Sequence, residues 1–135
     1  MMKRQSGQIA VMTSLAGKFG IPYRTAYAAS KHALHGFFDS LRPEVYGHNI
    51  GITLIASGYI RTAIAKNAFN EQGKAADEND PGIENGMPPE YFAKRTIKAL
   101  KINKKELLLG GRELLGVYLK RFAPALLSRV LCRQL

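Results

Sequence analysis

Three short apolar, β-prone runs, at 8–13, 51–56 and 106–109, are separated by segments with helical patterning. This alternation admits few folds. Two strand–helix–strand units in series imply a parallel sheet with right-handed crossovers, and so an α/β class. The full reading is strand 8–13, loop 14–24, helix 25–46, strand 51–56, loop 57–88, helix 89–102, strand 106–109 and tail helices over 113–134. No internal repeat and no low-complexity tract interrupts it.

The long helix carries Ala28, Ala29, Ala33, Leu34, Phe37, Phe38, Leu41 and Val45, a broad apolar stripe suited to covering a sheet. Pro43 falls inside it. An internal proline removes a backbone donor and costs roughly 3 kcal/mol unless the helix bends or ends, so a bend or an early stop near Leu41 is expected. Residues 66–88 are polar and rich in Asn, Asp, Glu and Gly. A loop of that length is usually functional or disordered. Pro88 and Pro89 then open a helix, with Glu90 in its first turn.

That helix bears Lys94, Arg95, Lys98 and Lys101, followed by Lys104 and Lys105. Such a row can contact phosphates. No nucleic-acid motif and no interleaved stacking aromatics accompany it, so no nucleic-acid partner is expected. In the tail, Leu114, Leu115, Tyr118, Leu119, Phe122, Leu126, Leu127, Val130 and Leu131 alternate with Lys120, Arg121, Arg129 and Arg133, and Pro124 splits the run in two. A basic amphipathic segment of this kind either lies in a membrane interface or packs on the sheet or a partner subunit.

A net charge of +10 points to an acidic partner, an anionic membrane face, a phosphorylated ligand or simply a solvated basic surface. With 46% hydrophobic and 22% charged residues, the 135-residue chain is globular in composition and long enough for a real core. The single Cys132 excludes an internal disulfide and suits a reducing, cytoplasmic compartment. No run of 18 apolar residues is available for a membrane span, and no apolar stretch of the signal-peptide kind follows Met1-Met-Lys-Arg-Gln5.

Chemistry is concentrated in Thr25-Ala-Tyr-Ala-Ala-Ser-Lys31. Tyr27 and Lys31 stand at i and i+4 and so share one helix face. An ammonium beside a phenol favours the phenolate, which lets a tyrosine exchange a proton with substrate near neutral pH. Ser14 ends the run Gln8-Ile-Ala-Val-Met-Thr-Ser14, at the carboxyl end of the first strand, where open α/β sheets place their ligands. Ser57-Gly-Tyr-Ile-Arg-Thr62 follows the second strand, at the same end.

With Thr13-Ser-Leu-Ala-Gly17, Tyr27-Ala-Ala-Ser-Lys31 and Ser57-Gly-Tyr-Ile-Arg-Thr62 in this order and spacing, the chain resembles the short-chain dehydrogenase/reductase family over about residues 1–110. The segment from Leu15 to Arg42 looks closest to its DHRS-type, membrane-associated branch. The resemblance implies the C-terminal portion of a doubly wound, Rossmann-like fold. Residues 1–111 would be its catalytic half, 66–88 a substrate lid, and 112–135 a basic amphipathic tail. It also implies hydride transfer between NAD or NADP and a small-molecule carbonyl or alcohol substrate. Tyr27 would exchange the hydroxyl proton. Lys31 would favour its ionised form and bind ribose hydroxyls. Ser14 would hold the substrate oxygen. Gly58 would let the backbone approach the nicotinamide, with Ile60 and Thr62 beside the carboxamide. In that family the 25–46 helix packs in a dimer interface, so a homo-oligomer is expected.

The resemblance is incomplete. None of the glycines forms a Thr-Gly-x-x-x-Gly-x-Gly turn, and the family's Asn-Asn-Ala-Gly strand is missing. Ser57 replaces the family's proline and frees φ in the cofactor loop. The chain alone is therefore expected neither to bind the cofactor tightly nor to turn over substrate. Two other readings stay open: an inactive fragment serving as an interaction or dimerisation module, and a peripheral membrane module using the tail. His32, His35 and His48 lack accompanying ligands at metal spacing, so no metal site is expected and they read as solvated histidines.

Overall fold

A computed structural model describes residues 1–63 and 81–133. The three apolar runs form strands β1 (Gly7–Ser14), β2 (Ile50–Ser57) and β3 (Glu106–Leu109). They pair in the order β1-β2-β3 and all run parallel. The register matches Gly7 with Ile50 through to Ser14 with Ser57, and Ser57 with Leu109. All three carboxyl ends therefore meet at one end of the sheet.

The α-helices among the described residues are α1 (Thr25–Glu44), α2 (Pro81–Glu84), α3 (Pro89–Lys101), α4 (Leu114–Phe122) and α5 (Pro124–Cys132). On one side of the sheet, Leu34, Phe38 and Leu41 of α1 pack on Val11, Ile52 and Leu54. Further along that side, Leu114 and Val117 of α4 and Leu127 of α5 cover Ala56, Leu15 and Phe19. Ala99 and Phe92 of α3 cover Ile55, Leu107 and Leu109 on the other side. Side chains alternate across a strand, so each helix layer takes alternate residues. β2 is buried along its length except at Gly51, as a strand sandwiched between helix layers must be.

Three expectations need correction. Helix α1 does not stop near Leu41 but runs through Pro43 to Glu44, two residues short of 46. Pro43 sits in the last turn, where its missing N–H forfeits a single bond, and the Val45 N–H still reaches the Leu41 carbonyl at 3.1 Å. The segment 57–88 is not all loop. It contains α2 and a parallel bridge between Ile60 and Met87, closed by Met87 N–H to Tyr59 O and Arg61 N–H to Met87 O, both 2.9 Å. Residues 66–80 of the expected lid lie outside the described residues. His35, read as solvated, is buried at 7% exposure. It lies one helical turn beyond Lys31, on the face that α1 turns to the sheet.

Candidate active site

β1 delivers two adjacent hydroxyls in opposite directions, because successive strand side chains alternate. Thr13 points under α1 and is buried. Its Oγ1 donates to the Lys31 carbonyl at 3.4 Å and lies 3.3 Å from His35 Nε2. Ser14 points the other way. Its Oγ donates to the Ser57 carbonyl at 3.3 Å and accepts from the Ala16 N–H at 3.1 Å, which caps the short 3₁₀ turn Leu15–Gly17. The predicted strand-end serine is thus held by the neighbouring strand's end.

Tyr27 and Lys31 occupy successive turns of α1. The Lys31 Nζ stands 5.5 Å from the Tyr27 ring centroid, within cation–π range. The same Nζ reaches the Met12 carbonyl at 3.5 Å, one residue before Thr13. This places the ammonium at the edge of β1 beside the serine-bearing turn. Tyr27 is 44% exposed, so its phenol is open to an incoming molecule.

Gly17 lets α1 approach this turn. A Cβ at Gly17 would stand 2.8 Å from the Lys31 carbonyl oxygen and 2.8 Å from His35 Cδ2. The His35 ring fills the space under Gly17, and its Nδ1 is 3.5 Å from Glu106 Oε1. Lys18 pairs with the same carboxylate at 2.5 Å. His35 titrates below its ordinary 6.5 because burial disfavours the imidazolium and Lys18 repels it, against weaker pulls from Glu106 and Asp39. The ring is therefore neutral at pH 7, and its Nδ1 makes no hydrogen bond among the described residues. The Glu106–His35 approach is then a contact rather than an ion pair.

The loops after β2 and β3 complete the end of the sheet. The Gly58 N–H bonds the Leu109 carbonyl at 2.8 Å. The space a Gly58 side chain would fill is taken by the Glu113 carboxylate, whose Cδ would be 2.8 Å from that Cβ. Gly58 thus meets an acidic side chain at close range, which sequence reasoning did not find. Ile60 sits in the bridge to Met87, but that bridge uses the Tyr59 carbonyl and the Arg61 N–H and leaves Ile60's own backbone groups outside it. Thr62 is exposed at the last turn before the undescribed segment. Ser14 and Gly58 lie at the carboxyl ends of β1 and β2, Lys31 reaches β1 at Met12 with Tyr27 beside it on α1, and Ile60 and Thr62 lie further along the chain.

Two further features were missed. Thr13 and His35 tie α1 to β1 from beneath; the available signal was the row Tyr27, Lys31, His35 at i, i+4, i+8. Tyr23 adopts φ 60° and is 88% exposed, two residues before α1. A left-handed conformation is uncommon for a bulky residue and has no sequence signature here. Among the described residues no group of His, Cys, Asp and Glu could hold a metal ion.

Comparison with known proteins bears on this geometry. The profile of the short chain dehydrogenase family matches residues 1–73. Dehydrogenase/reductase SDR family member 7B of Xenopus laevis is 38% identical over 132 residues, covering 97% of this chain and 41% of the relative. Dehydrogenase/reductase SDR family protein 7-like of Drosophila melanogaster is 35% identical over 135 residues, with 99% and 41% coverage. The chain thus spans about two fifths of the length of these relatives. A short-chain dehydrogenase from Streptomyces avermitilis superimposes with a TM-score of 0.65 at 25% identity, over 87% of this chain and 46% of that one. One from Burkholderia cenocepacia, in complex with NADP, superimposes at 0.73 and 17% identity, over 93% and 47%.

Proposed function

The chain belongs to the short chain dehydrogenase family, and from that premise we propose that it carries the catalytic half of an NAD- or NADP-dependent oxidoreductase acting on a carbonyl or alcohol. The observation that supports this most is that a phenol and an ammonium are side by side on α1, with the ammonium reaching β1 two residues before its strand-end serine. A nicotinamide cofactor, when bound, supplies or accepts the hydride. The fit of this chain to that group is partial. An open Tyr27 and a Lys31 ammonium suit ribose hydroxyls, and Gly58, Ile60 and Thr62 are the groups proposed near the carboxamide. The carboxylate of Glu113 already lies against Gly58, and no glycine-rich turn for a pyrophosphate is in this sequence.

The side chains then divide the work. The Tyr27 Oη holds the proton that moves to or from the substrate oxygen. Lys31, held by the Met12 carbonyl, keeps positive charge beside that ring. Ser14 Oγ orients the substrate oxygen. To donate to it, Ser14 turns its hydrogen from the Ser57 carbonyl, a long 3.3 Å bond worth about 1 kcal/mol net. The outward face of α1, where Phe37 is 63% exposed, is the surface proposed for a second copy. A cytoplasmic setting remains part of this proposal. No described helix is long and apolar enough to cross a membrane.

The test is a panel of aldehydes and ketones with NADH and NADPH, using a protein in which this chain accompanies a dinucleotide-binding unit. Cofactor consumption that Ser14→Ala lowers by about 10²-fold supports the reading. Absence of consumption across the panel, with cofactor bound, refutes it.

A further inference from the structure

Lys31 is tied to β1 at both of its ends. Its Nζ reaches the Met12 carbonyl at 3.5 Å, and its own carbonyl accepts from the Thr13 hydroxyl at 3.4 Å. Two successive strand residues thus hold one helical residue. The second tie continues inward. Thr13 Oγ1 lies 3.3 Å from His35 Nε2, and His35 Nδ1 lies 3.5 Å from Glu106 Oε1. Glu106, His35, Thr13 and the Lys31 carbonyl therefore stand in a line of three links. Lys31 and His35 share one face of α1 at i and i+4, which brings the ring beneath the carbonyl of the preceding turn.

Three links need three hydrogens, and these can be counted. A carboxylate and a carbonyl only accept; a hydroxyl donates one hydrogen, and a neutral imidazole donates one. The line is then one hydrogen short. With the ring hydrogen on Nε2, Thr13 can donate to the Lys31 carbonyl, but a bare Nδ1 faces the Glu106 carboxylate. With the hydrogen on Nδ1, Nε2 takes the Thr13 hydrogen, and the Lys31 carbonyl loses its donor. An imidazolium donates from both nitrogens and completes the line. Nδ1 has no other hydrogen-bond partner among the described residues. Thr13 and His35 are both buried, where each missing hydrogen bond weighs most.

The surroundings decide when that proton arrives. Burial opposes it most, followed by Lys18 from the turn after β1; His32 on α1 opposes it weakly, while Glu106 from β3 and Asp39 on α1 favour it. The line is accordingly incomplete at pH 7 and closes at lower pH.

We infer that Thr13 and His35 are positioning residues for Lys31: a proton taken up by His35 commits the Thr13 hydroxyl to the Lys31 carbonyl, so the seating of Lys31 on β1 follows the protonation of a buried histidine. Its bearing on catalysis rests on the proposed role of Tyr27 and Lys31; the hydrogen-bond exchange itself does not.

The test is a nuclear magnetic resonance titration of the full 135-residue chain, isotopically labelled, from about pH 8 to 5. It follows the Lys31 carbonyl carbon and the His35 ring. The carbonyl should shift downfield with the same midpoint as the ring. Thr13→Val should leave the ring titrating but abolish most of the carbonyl shift, and Thr13→Ser, which keeps the hydroxyl, should restore it. Should Thr13→Val not fold, His35→Gln decides, since it must leave the Lys31 carbonyl flat across the range. Four results would overturn the inference: a carbonyl that stays fixed while His35 titrates, an equal shift in Thr13→Val, a shift that survives in His35→Gln, and a ring that stays neutral until the chain unfolds. No cofactor or substrate enters this titration, so its outcome is separate from that of the oxidoreductase assay.

Discussion

β1 and β2 have the same length, eight residues, and pair one to one, yet their surroundings differ completely. In β2, Thr53, Leu54, Ile55 and Ala56 are at most 1% exposed, held between α1, α4 and α5 on one side and α3 on the other. In β1 only one face is covered. Val11 and Thr13 are buried under α1, while Ala10 and Met12 face outward, Met12 at 48% exposure. The sandwiched strand holds the fold, because it buries apolar area on both faces. The half-covered strand carries the candidate site. Its open edge gives Lys31 a carbonyl to bind at Met12, and its end presents Ser14.

Truncating one residue on each strand separates the two roles. Ile55→Ala should cost about 2–5 kcal/mol in denaturant unfolding, the range for an emptied core site. Met12→Ala, one row across in the register, should cost under about 0.5 kcal/mol. Equal costs would mean that the open face of β1 is covered in solution.

Gly17→Ala tests the covered face of β1. The new methyl would meet the Lys31 carbonyl, a backbone atom that cannot rotate aside. A loss of about 1–3 kcal/mol is expected, with a shift of the Lys31 resonances in a heteronuclear spectrum. Unchanged stability would show that α1 is not seated as described.

Thr53→Val is a smaller and opposite effect. The Thr53 Oγ1 is buried and makes no hydrogen bond among the described residues. Replacing the hydroxyl by a methyl of similar shape should stabilise by about 1 kcal/mol; a comparable loss would reveal a hidden partner.

The smallest effect is in pH. Folding lowers the affinity of His35 for a proton, so the unfolded chain binds more protons in the affected range. Stability is then full above pH 6.5, falls as pH drops through 6.5 toward the folded-state value, and levels off below it. The groups facing His35 are Thr13, Lys18, Glu106, Asp39 and His32. Urea midpoints from pH 8 to 5 should show this decline, and His35→Leu should flatten it. An unaltered decline in the variant would assign it to carboxylates instead.

Among the described residues, the three strands and four of the five α-helices were legible because hydrophobic period and turn residues report them directly. Pro124 marked the break between α4 and α5. The short helix α2 was not, since four residues are too few to show a period. Ser14, Tyr27 and Lys31 were legible as a spacing on one strand end and one helix face. His35 was not, because a histidine on an amphipathic helix reads the same whether it faces water or a glycine that opens a space for it. Nor was Glu113, whose contact with Gly58 joins two loops that are distant in sequence. Such contacts depend on how the ends of β2 and β3 converge, which no local pattern encodes.

The open end of β1 and the first turns of α1 are proposed as a proton-transfer site. The most direct measurement is single-turnover and steady-state kinetics of Tyr27→Phe, in a protein that joins this chain to a dinucleotide-binding unit. The phenol transfers a proton rather than supplying most of the binding, so turnover should fall by about 10²–10⁴-fold with cofactor affinity within about twofold of the parent. Near-normal turnover of carbonyl substrates by Tyr27→Phe would rule out proton transfer by this phenol.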